Sequence, residues 1–279
     1  MAILLAGLSA LMYGGADFCG GLATRRSTVL PVLVFSQLVG LLIAVGGAFA
    51  LRQPLPSPGD LAWGAAAGLC GTAGLAALYT AIATTPVAVA SPIAAVTGAA
   101  IPVLLGVSGG ERPDTLAWVG IALAFPAILL LTMSPSGKGK DPAPARRAAV
   151  LGLAAGVGFG LFFFAISRTA HASGLWPLAS ARVATITITV VYALARSRPL
   201  LPRGGDWAVL LLSGALDMGA NIAFLLASRL GMLSIAAVVA ALYPGPTVFL
   251  ACIVFRERLT VPRVAGLALA LAGVALISV

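Results

Sequence analysis

Three ionisable residues, Asp17, Arg182 and Asp217, fall inside long apolar stretches of this sequence. A charge within the hydrocarbon region of a membrane is costly, so such residues usually serve a function or pair with one another. Asp217 and Asn221 are four residues apart, which places them on one face of a helix, with donors and acceptors for a polar ligand. Arg182 lies deep enough in its own apolar segment to pair with Asp217. The pattern predicts either a polar binding site or a buried ion pair that only fixes helix register.

The elements that position these residues are predicted to be membrane spans. The chain has 279 residues, of which 60% are hydrophobic and 9% are charged, with a mean hydropathy of +1.08. Soluble domains carry about 25% charged residues, so a soluble fold is excluded. A span needs about 20 apolar residues, and the uncharged segments predict an all-α polytopic membrane protein with ten spans. Four spans lie at about 2–22, 175–195, 207–228 and 262–279. Four more lie one each within the uncharged segments 27–51, 115–137, 148–167 and 230–255, and two form a tight hairpin within 61–110.

The sequence also repeats itself with an offset of 146 residues. Tyr13-Gly14 falls on Phe159-Gly160, Gly59-Asp60 on Gly205-Asp206, and Glu111-Arg112 on Glu257-Arg258. An apolar background would not align glycine and charged markers in one register. We therefore predict a first repeat at 1–133, a connecting loop at 134–147 and a second repeat at 148–279. Each half holds five spans, an odd number, so the halves are inverted, as in many secondary transporters.

The aromatic-Gly pair in the first span of each half, together with the Glu-Arg between the fourth and fifth spans, carries a family resemblance. The chain resembles ten-helix EamA-type members of the drug/metabolite transporter superfamily, and among them bacterial exporters of amino acids, including aromatic ones. The resemblance implies two inverted five-helix repeats around a central cavity, lined mainly by the first, third and fourth spans of each half.

The candidate substrate-binding residues come from these spans and from the polar cluster. Aromatic residues can instead mark membrane interfaces, an interpretation that applies most to Trp176 near a span end. The predicted cavity residues are Tyr13, Tyr79, Ser91, Thr97, Phe159, Asp217, Asn221 and Tyr243.

Prolines fall inside the fourth span of both halves. A proline in a helix removes one backbone hydrogen bond, and interrupted spans at corresponding places in two repeats often mark a transporter site. Pro92 and Pro102 in the first half, and Pro244 and Pro246 in the second, therefore predict helix breaks. The alternative is a kink that only shapes packing.

Asp17 admits two interpretations. It lies near one end of the first span, where it could reach the membrane surface. Small relatives in the superfamily use an acidic residue in their first helix, so the resemblance suggests instead a proton-coupling carboxylate.

The basic residues predict the orientation. Loops after odd-numbered spans hold twelve of the seventeen lysines and arginines, whereas the opposite side holds Arg52, Arg112, Arg168 and Arg229. The positive-inside rule then places loop 134–147 in the cytoplasm and both termini outside, whereas the resemblance implies both termini inside. The charge of +9 lies in loops between spans, which does not suggest nucleic-acid binding.

No pattern points to a metal, a cofactor or catalysis. Cys19, Cys70 and Cys252 have no paired spacing, and the only histidine, His171, has no predicted partner for catalysis. Glycines every four residues, at Gly152, Gly156 and Gly160, predict close helix packing, a rocking surface or a dimer face. The oligomeric state stays open, and a monomer would suffice.

The leading hypothesis is a secondary carrier in a bacterial inner membrane that exports small metabolites, above all amino acids, by alternating access. A single arginine within the spans disfavours phosphorylated substrates. Efflux of lipophilic cations is the alternative, because aromatic faces and buried acids attract them. A channel is the remaining non-carrier alternative.

Overall fold

The computed structural model describes residues 1–24, 27–84, 87–132, 142–202, 207–255 and 260–278. Across these ranges the chain is helical and contains no strand. The helices are α1 (Ala2–Thr24), α2 (Val29–Ala50), α3 (Pro58–Thr84), α4 (Val87–Ser108), α5 (Thr115–Thr132), α6 (Pro142–Ser167), α7 (Trp176–Ala195), α8 (Trp207–Leu230), α9 (Leu233–Ala240), α10 (Pro244–Phe255) and α11 (Val261–Ile277). A short 3-10 turn, His171–Ser173, precedes α7.

These helices confirm the predicted all-α architecture of a multi-pass membrane protein. Nine segments of the described chain are long and apolar enough to cross a membrane, and one of them, Leu233–Phe255, comprises α9 and α10 together. The tenth, α11, is a shorter apolar helix. The predicted connecting loop 134–147 overlaps α6, because that helix already begins at Pro142.

The interfaces between helices occur in pairs that the internal repeat relates to each other. Contacts of α1 with α8 recur between α6 and α3, contacts of α2 with α8 recur between α7 and α3, and contacts of α4 with α6 recur between α9–α10 and α1. Each of these interfaces joins the first half to the second. The two repeats are therefore intertwined rather than separate bodies.

The helix directions define two sides of the membrane. Thr24, Thr132 and Ala195 end their helices on the side that carries most lysines and arginines, which we call the basic side. Ala50, Ser108, Ser167 and Leu230 end theirs on the other, which we call the opposite side.

The ninth span is broken just before Pro244, and Pro246 already lies inside α10, but the fourth span is not broken. Residues 241–243 form a turn between α9 and α10. It is closed by backbone hydrogen bonds between residues three positions apart, such as Tyr243 N–H to Ala240 O. By contrast α4 runs continuously through Pro92 and Pro102, so the predicted break there is wrong. An isolated proline removes only one helical hydrogen bond, and neighbouring helices in a membrane protein compensate for it.

Two rows of glycines bring helices into contact within the chain. A Cβ atom at Gly64 or Gly68 of α3 would overlap the backbone of Pro177 or Ala181 in α7. The stripe on α6 faces α4 in the same way, because a Cβ at Gly152 would meet Ala90. These stripes are thus occupied by close packing between the two halves.

Candidate functional site

A cavity of about 610 Å³ lies between the two halves, a volume typical of small-molecule sites. Its lining extends from Tyr13, in the middle of α1, to Thr24 and Val29 at the ends of α1 and α2. Both of these helix ends lie on the basic side. The cavity therefore runs from the centre of the membrane towards the basic side.

An ion pair lies in the polar part of this cavity. Arg182 Nη2 of α7 donates to Asp217 Oδ2 of α8 at 2.6 Å, and Arg182 Nη1 donates to Gln37 Oε1 of α2 at 2.5 Å. Arg182 is only 6% exposed. Gly40 leaves the space beside it, since a Cβ there would lie 3.1 Å from Arg182 Nε. The arginine thus joins three helices across both halves.

Asn221 is held one helical turn further along α8. Its Nδ2 donates to the backbone carbonyl of Asp217 at 2.7 Å. Its Oδ1 is buried without a hydrogen-bond partner, and the residue is 3% exposed. A buried amide oxygen normally finds a donor, so Oδ1 is an unsatisfied acceptor in a residue that lines the cavity.

Asp17 lines the same cavity and is exposed within it. Two hydrogen bonds fix the register of α1 against α8: Ser9 Oγ to Ala220 O and Ser213 Oγ to Ala16 O, both at 2.9 Å. In that antiparallel register Asp217 is level with residue 12, five residues from Asp17 along α1. By helical rise, the two carboxylates differ in depth by about 7 Å, and Asp17 is nearer the basic side.

Aromatic rings form the wall beside these polar groups. The ring of Tyr13 meets Phe163 at 6.1 Å and Tyr243 at 6.2 Å, both edge-on. Phe163 in turn packs on the buried ring of Phe224 at 4.3 Å. Edge-on contacts of this kind hold the rings in fixed positions.

Hydrogen bonds between the halves close the opposite side. Asp60 at the start of α3 accepts from Ser173 Oγ at 2.6 Å and from Ala170 N–H at 2.8 Å. Gln53 Oε1 accepts from Leu175 N–H at 2.7 Å. These contacts tie the α2–α3 connection to the segment before α7.

Glu111 makes a further contact on that side. Its carboxylate, in the α4–α5 connection, accepts from the backbone N–H groups of Leu233 and Ser234 at 2.5 and 2.9 Å. Both N–H groups belong to the first turn of α9, where an anion is favoured by the helix dipole.

The structure brings most of the predicted site residues together. Tyr13, Phe159, Asp217, Asn221 and Tyr243 line the cavity together with Asp17 and Arg182. Their roles in binding stay predictions. The side chain of Tyr79, on α3, lies outside the described residues.

The described lining does not include Ser91 or Thr97, whose part in binding stays a prediction. The described lining takes Ala94, Ala95 and Gly98 from α4 instead. Thr97 lies at the contact with α6, where a Cβ at Gly156 would collide with it. Thr97 is thus used in packing between the two halves.

Sequence reasoning missed several lining residues, among them Gln37, Thr72, Phe162, Phe163 and Thr185. Two of them carried a signal. Gln37 is a polar side chain in an otherwise uncharged span, and Phe163 is the counterpart of Asp17 under the 146-residue offset.

A family model decides the relationship. The EamA-like transporter family matches residues 1–133 and again residues 146–279. The chain belongs to the EamA-like transporter family. Its two matches cover almost all of the sequence, and they repeat the family unit in tandem, as the 146-residue offset predicts. The repeat boundaries 1–133, 134–147 and 148–279 stay a prediction.

Structural comparison agrees on the fold of this EamA-like transporter. Twenty-seven chains of known structure match. One crystal structure has a TM-score of 0.76 and 16% sequence identity over 99% of this chain and 95% of that one. No curated protein sequence matches. Membership of a transporter family implies a small-molecule substrate and a site in the lipid bilayer.

Proposed function

We propose that this EamA-like transporter is a secondary carrier that exports small metabolites, above all amino acids, by alternating access. One observation carries the proposal. The cavity reaches the centre of the membrane from the basic side, whereas hydrogen bonds between the two halves close the opposite side. A one-sided cavity between inverted repeats is the arrangement that alternating access requires.

The contacts that close the opposite side suit a gate. Asp60, Gln53 and Glu111 belong to the first half, and each accepts its hydrogen bonds from backbone or side-chain groups of the second. A relative movement of the halves would break them together and open the cavity on that side. The intertwined interfaces make such a movement collective.

The orientation follows from the charge distribution. Twelve of the seventeen basic residues fall in the sequence between odd-numbered spans and the spans that follow them, and the positive-inside rule assigns the basic side to the cytoplasm. The described conformation is then open to the cytoplasm, and a bacterial inner membrane is the proposed location. A terminal tag that a protease reaches in intact cells supports this orientation, whereas a protected tag contradicts it.

Proton coupling is proposed for Asp17. The carboxylate of Asp17 is exposed in the cavity. Asp17 forms no salt bridge with any residue that the structure describes. If protons drive export, a protonophore abolishes uptake into inverted vesicles, and Asp17→Asn shows the same loss. Uptake that survives both treatments would exclude the coupling.

The aromatic wall favours a second candidate substrate class, lipophilic cations. Tyr13, Phe163 and Tyr243 present ring faces and edges beside two carboxylates, and aromatic faces attract cations. Amino acids and quaternary amines therefore belong in one test panel.

Counterflow in proteoliposomes tests the proposal. Vesicles loaded with an unlabelled amino acid should accumulate the labelled one against its gradient, because a carrier exchanges its substrates. A channel only equilibrates the label. If neither amino acids nor quaternary amines produce counterflow, the proposed function is wrong.

A further inference from the structure

The polar groups of the cavity differ in what they leave free for a ligand. Arg182 is the only basic residue in the described lining. Its two terminal nitrogens already bind Asp217 and Gln37. Its Nε lies against Gly40, on the side of the arginine that faces α2. Nε has no hydrogen-bond partner, but a ligand carboxylate at the two terminal nitrogens would meet the acceptors of Asp217 and Gln37 that already bind there.

Asn221 differs from Arg182, because its atom without a hydrogen-bond partner is an acceptor. The amide nitrogen must face the backbone carbonyl of Asp217, since a carbonyl oxygen only accepts hydrogen bonds. This fixes the amide and leaves Oδ1 buried and without a partner, in a residue that lines the cavity. The fixed oxygen calls for a hydrogen-bond donor from the ligand.

The surrounding charge points the same way. The described lining holds two carboxylates, those of Asp17 and Asp217, against one guanidinium. Asp217 is neutralised by Arg182, so the carboxylate of Asp17 supplies the excess negative charge. A cation gains from this charge, whereas an anion is repelled.

The rings complete a site for an apolar group. Tyr13 is within one residue of the level of Asp217 in the register of α1 against α8, and Phe163 and Tyr243 flank it. Aromatic rings close to an ammonium group add cation-π attraction. They also pack against an apolar body attached to that group.

We propose that the cavity, whose excess negative charge is that of Asp17, recognises a primary ammonium group that donates to Asn221 Oδ1, and that it does not require a carboxylate on the ligand. The substrate class is then small amines with an apolar or aromatic body. Amino acids belong to it through their amino group, as do their esters and amides. This inference rests on the proposed transport function and specifies how its site selects substrates.

Binding of radiolabelled phenethylamine to the purified full-length protein in lipid nanodiscs tests the inference. Unlabelled phenylalanine methyl ester should compete about as well as phenethylamine itself. Phenylpropionate, which keeps the ring and the carboxylate but lacks the amine, should not compete. N-acetylphenethylamine, which has no ammonium group, should also fail.

Variants of Asn221 provide the second arm. Asn221→Leu removes the acceptor at similar size and should weaken phenethylamine binding about ten-fold or more, as expected for a lost hydrogen bond to a charged group. Asn221→Asp keeps an acceptor and should retain binding. Ser228→Ala, on the same helix but with a local hydrogen bond to Leu225 O, is the matched control and should bind normally.

The outcomes separate this inference from the proposed function. If phenylpropionate competes as well as phenethylamine, if no amine binds, or if folded Asn221→Leu binds normally, the ammonium site is wrong. Amino-acid counterflow without amine binding would overturn the inference and leave the carrier function standing. Amine binding lost in Asn221→Leu, with no counterflow of any compound, would support the site and overturn the carrier function.

Discussion

Asp60 of α3 and Ser173, just before α7, are joined by a 2.6 Å hydrogen bond that crosses from the first half of the chain to the second. The same carboxylate accepts from Ala170 N–H and is organised from its own side by Ser57 Oγ. Ser173, which is 113 positions from Asp60 in the sequence, thus helps to close the opposite side of the cavity.

Asp60→Ala should open that side. Hydrogen bonds to a charged group contribute about 1.5–3 kcal/mol each, so their loss should shift the conformational equilibrium about ten-fold or more. The measurement is labelling of Thr72→Cys, a cavity residue, by an impermeant maleimide applied from the opposite side, in a chain whose native cysteines are replaced by alanine. The labelling rate should rise at least several-fold.

Asp114→Ala is the matched control for this gate. Asp114 lies on the same side, but its carboxylate accepts from Ala117 N–H at the start of its own helix, α5. Its loss should cost about 1 kcal/mol of helix-cap stability and leave Thr72→Cys protected. Equal labelling in the Asp60 and Asp114 variants would contradict the gate.

Glu111 should contribute to stability through the start of α9. Glu111→Ala removes both acceptors of the Leu233 and Ser234 N–H groups, whereas Glu111→Gln keeps one oxygen without the charge. The thermal unfolding temperature in detergent should therefore decrease from wild type to Glu111→Gln to Glu111→Ala. The alanine variant should lose about 1–3 kcal/mol of unfolding free energy. Equal stability of all three proteins would show that the contact contributes nothing.

The Arg182–Asp217 pair should behave as a coupled unit. Asp217→Asn leaves a 6% exposed guanidinium without its counter-charge, which should cost about 3 kcal/mol. The double variant Arg182→Gln with Asp217→Asn removes both charges and should recover much of that loss. The unfolding free energies of Asp217→Asn, Arg182→Gln and the double variant, compared with that of the wild type, form a double-mutant cycle. Additive losses would mean that the two side chains do not stabilise each other.

Gly14 should be intolerant of any side chain. A Cβ there would lie 2.6 Å from Pro246 Cβ and 2.7 Å from Tyr243 O, at the break between α9 and α10. Gly14→Ala should therefore lower the yield of folded protein and weaken phenethylamine binding, because the ring of Tyr243 must move. Gly7→Ala, on the same helix with nothing within 4 Å, should be neutral or slightly stabilising. A normal Gly14→Ala protein would contradict the close approach.

Much of the fold could be predicted from the sequence because its cause is local. Uncharged segments of sufficient length must be spans, and an odd number of spans in each repeat must invert the halves. Few partners for a charge exist inside a membrane, so a pair of Arg182 with Asp217 was one of two interpretations of the sequence, and the two side chains do form a salt bridge.

The failures have a common physical reason. Pro92 and Pro102 suggested breaks that α4 does not have, and Thr97, which was expected at the cavity, lies at the contact with α6. Whether a proline breaks a helix, and which face of a helix meets the cavity, depend on the neighbouring helix. For α4 that neighbour is α6, from the other half.

The sequence by itself determined the spans, the inverted repeat and the few charges that the membrane must accommodate, because hydropathy and periodicity act along the chain. Only the tertiary structure decided that the halves intertwine, that Asp60 and Glu111 close one side, and that Asn221 Oδ1 is left without a partner. These features arise from contacts between residues more than a hundred positions apart or from the environment that such contacts create, so no local pattern encodes them.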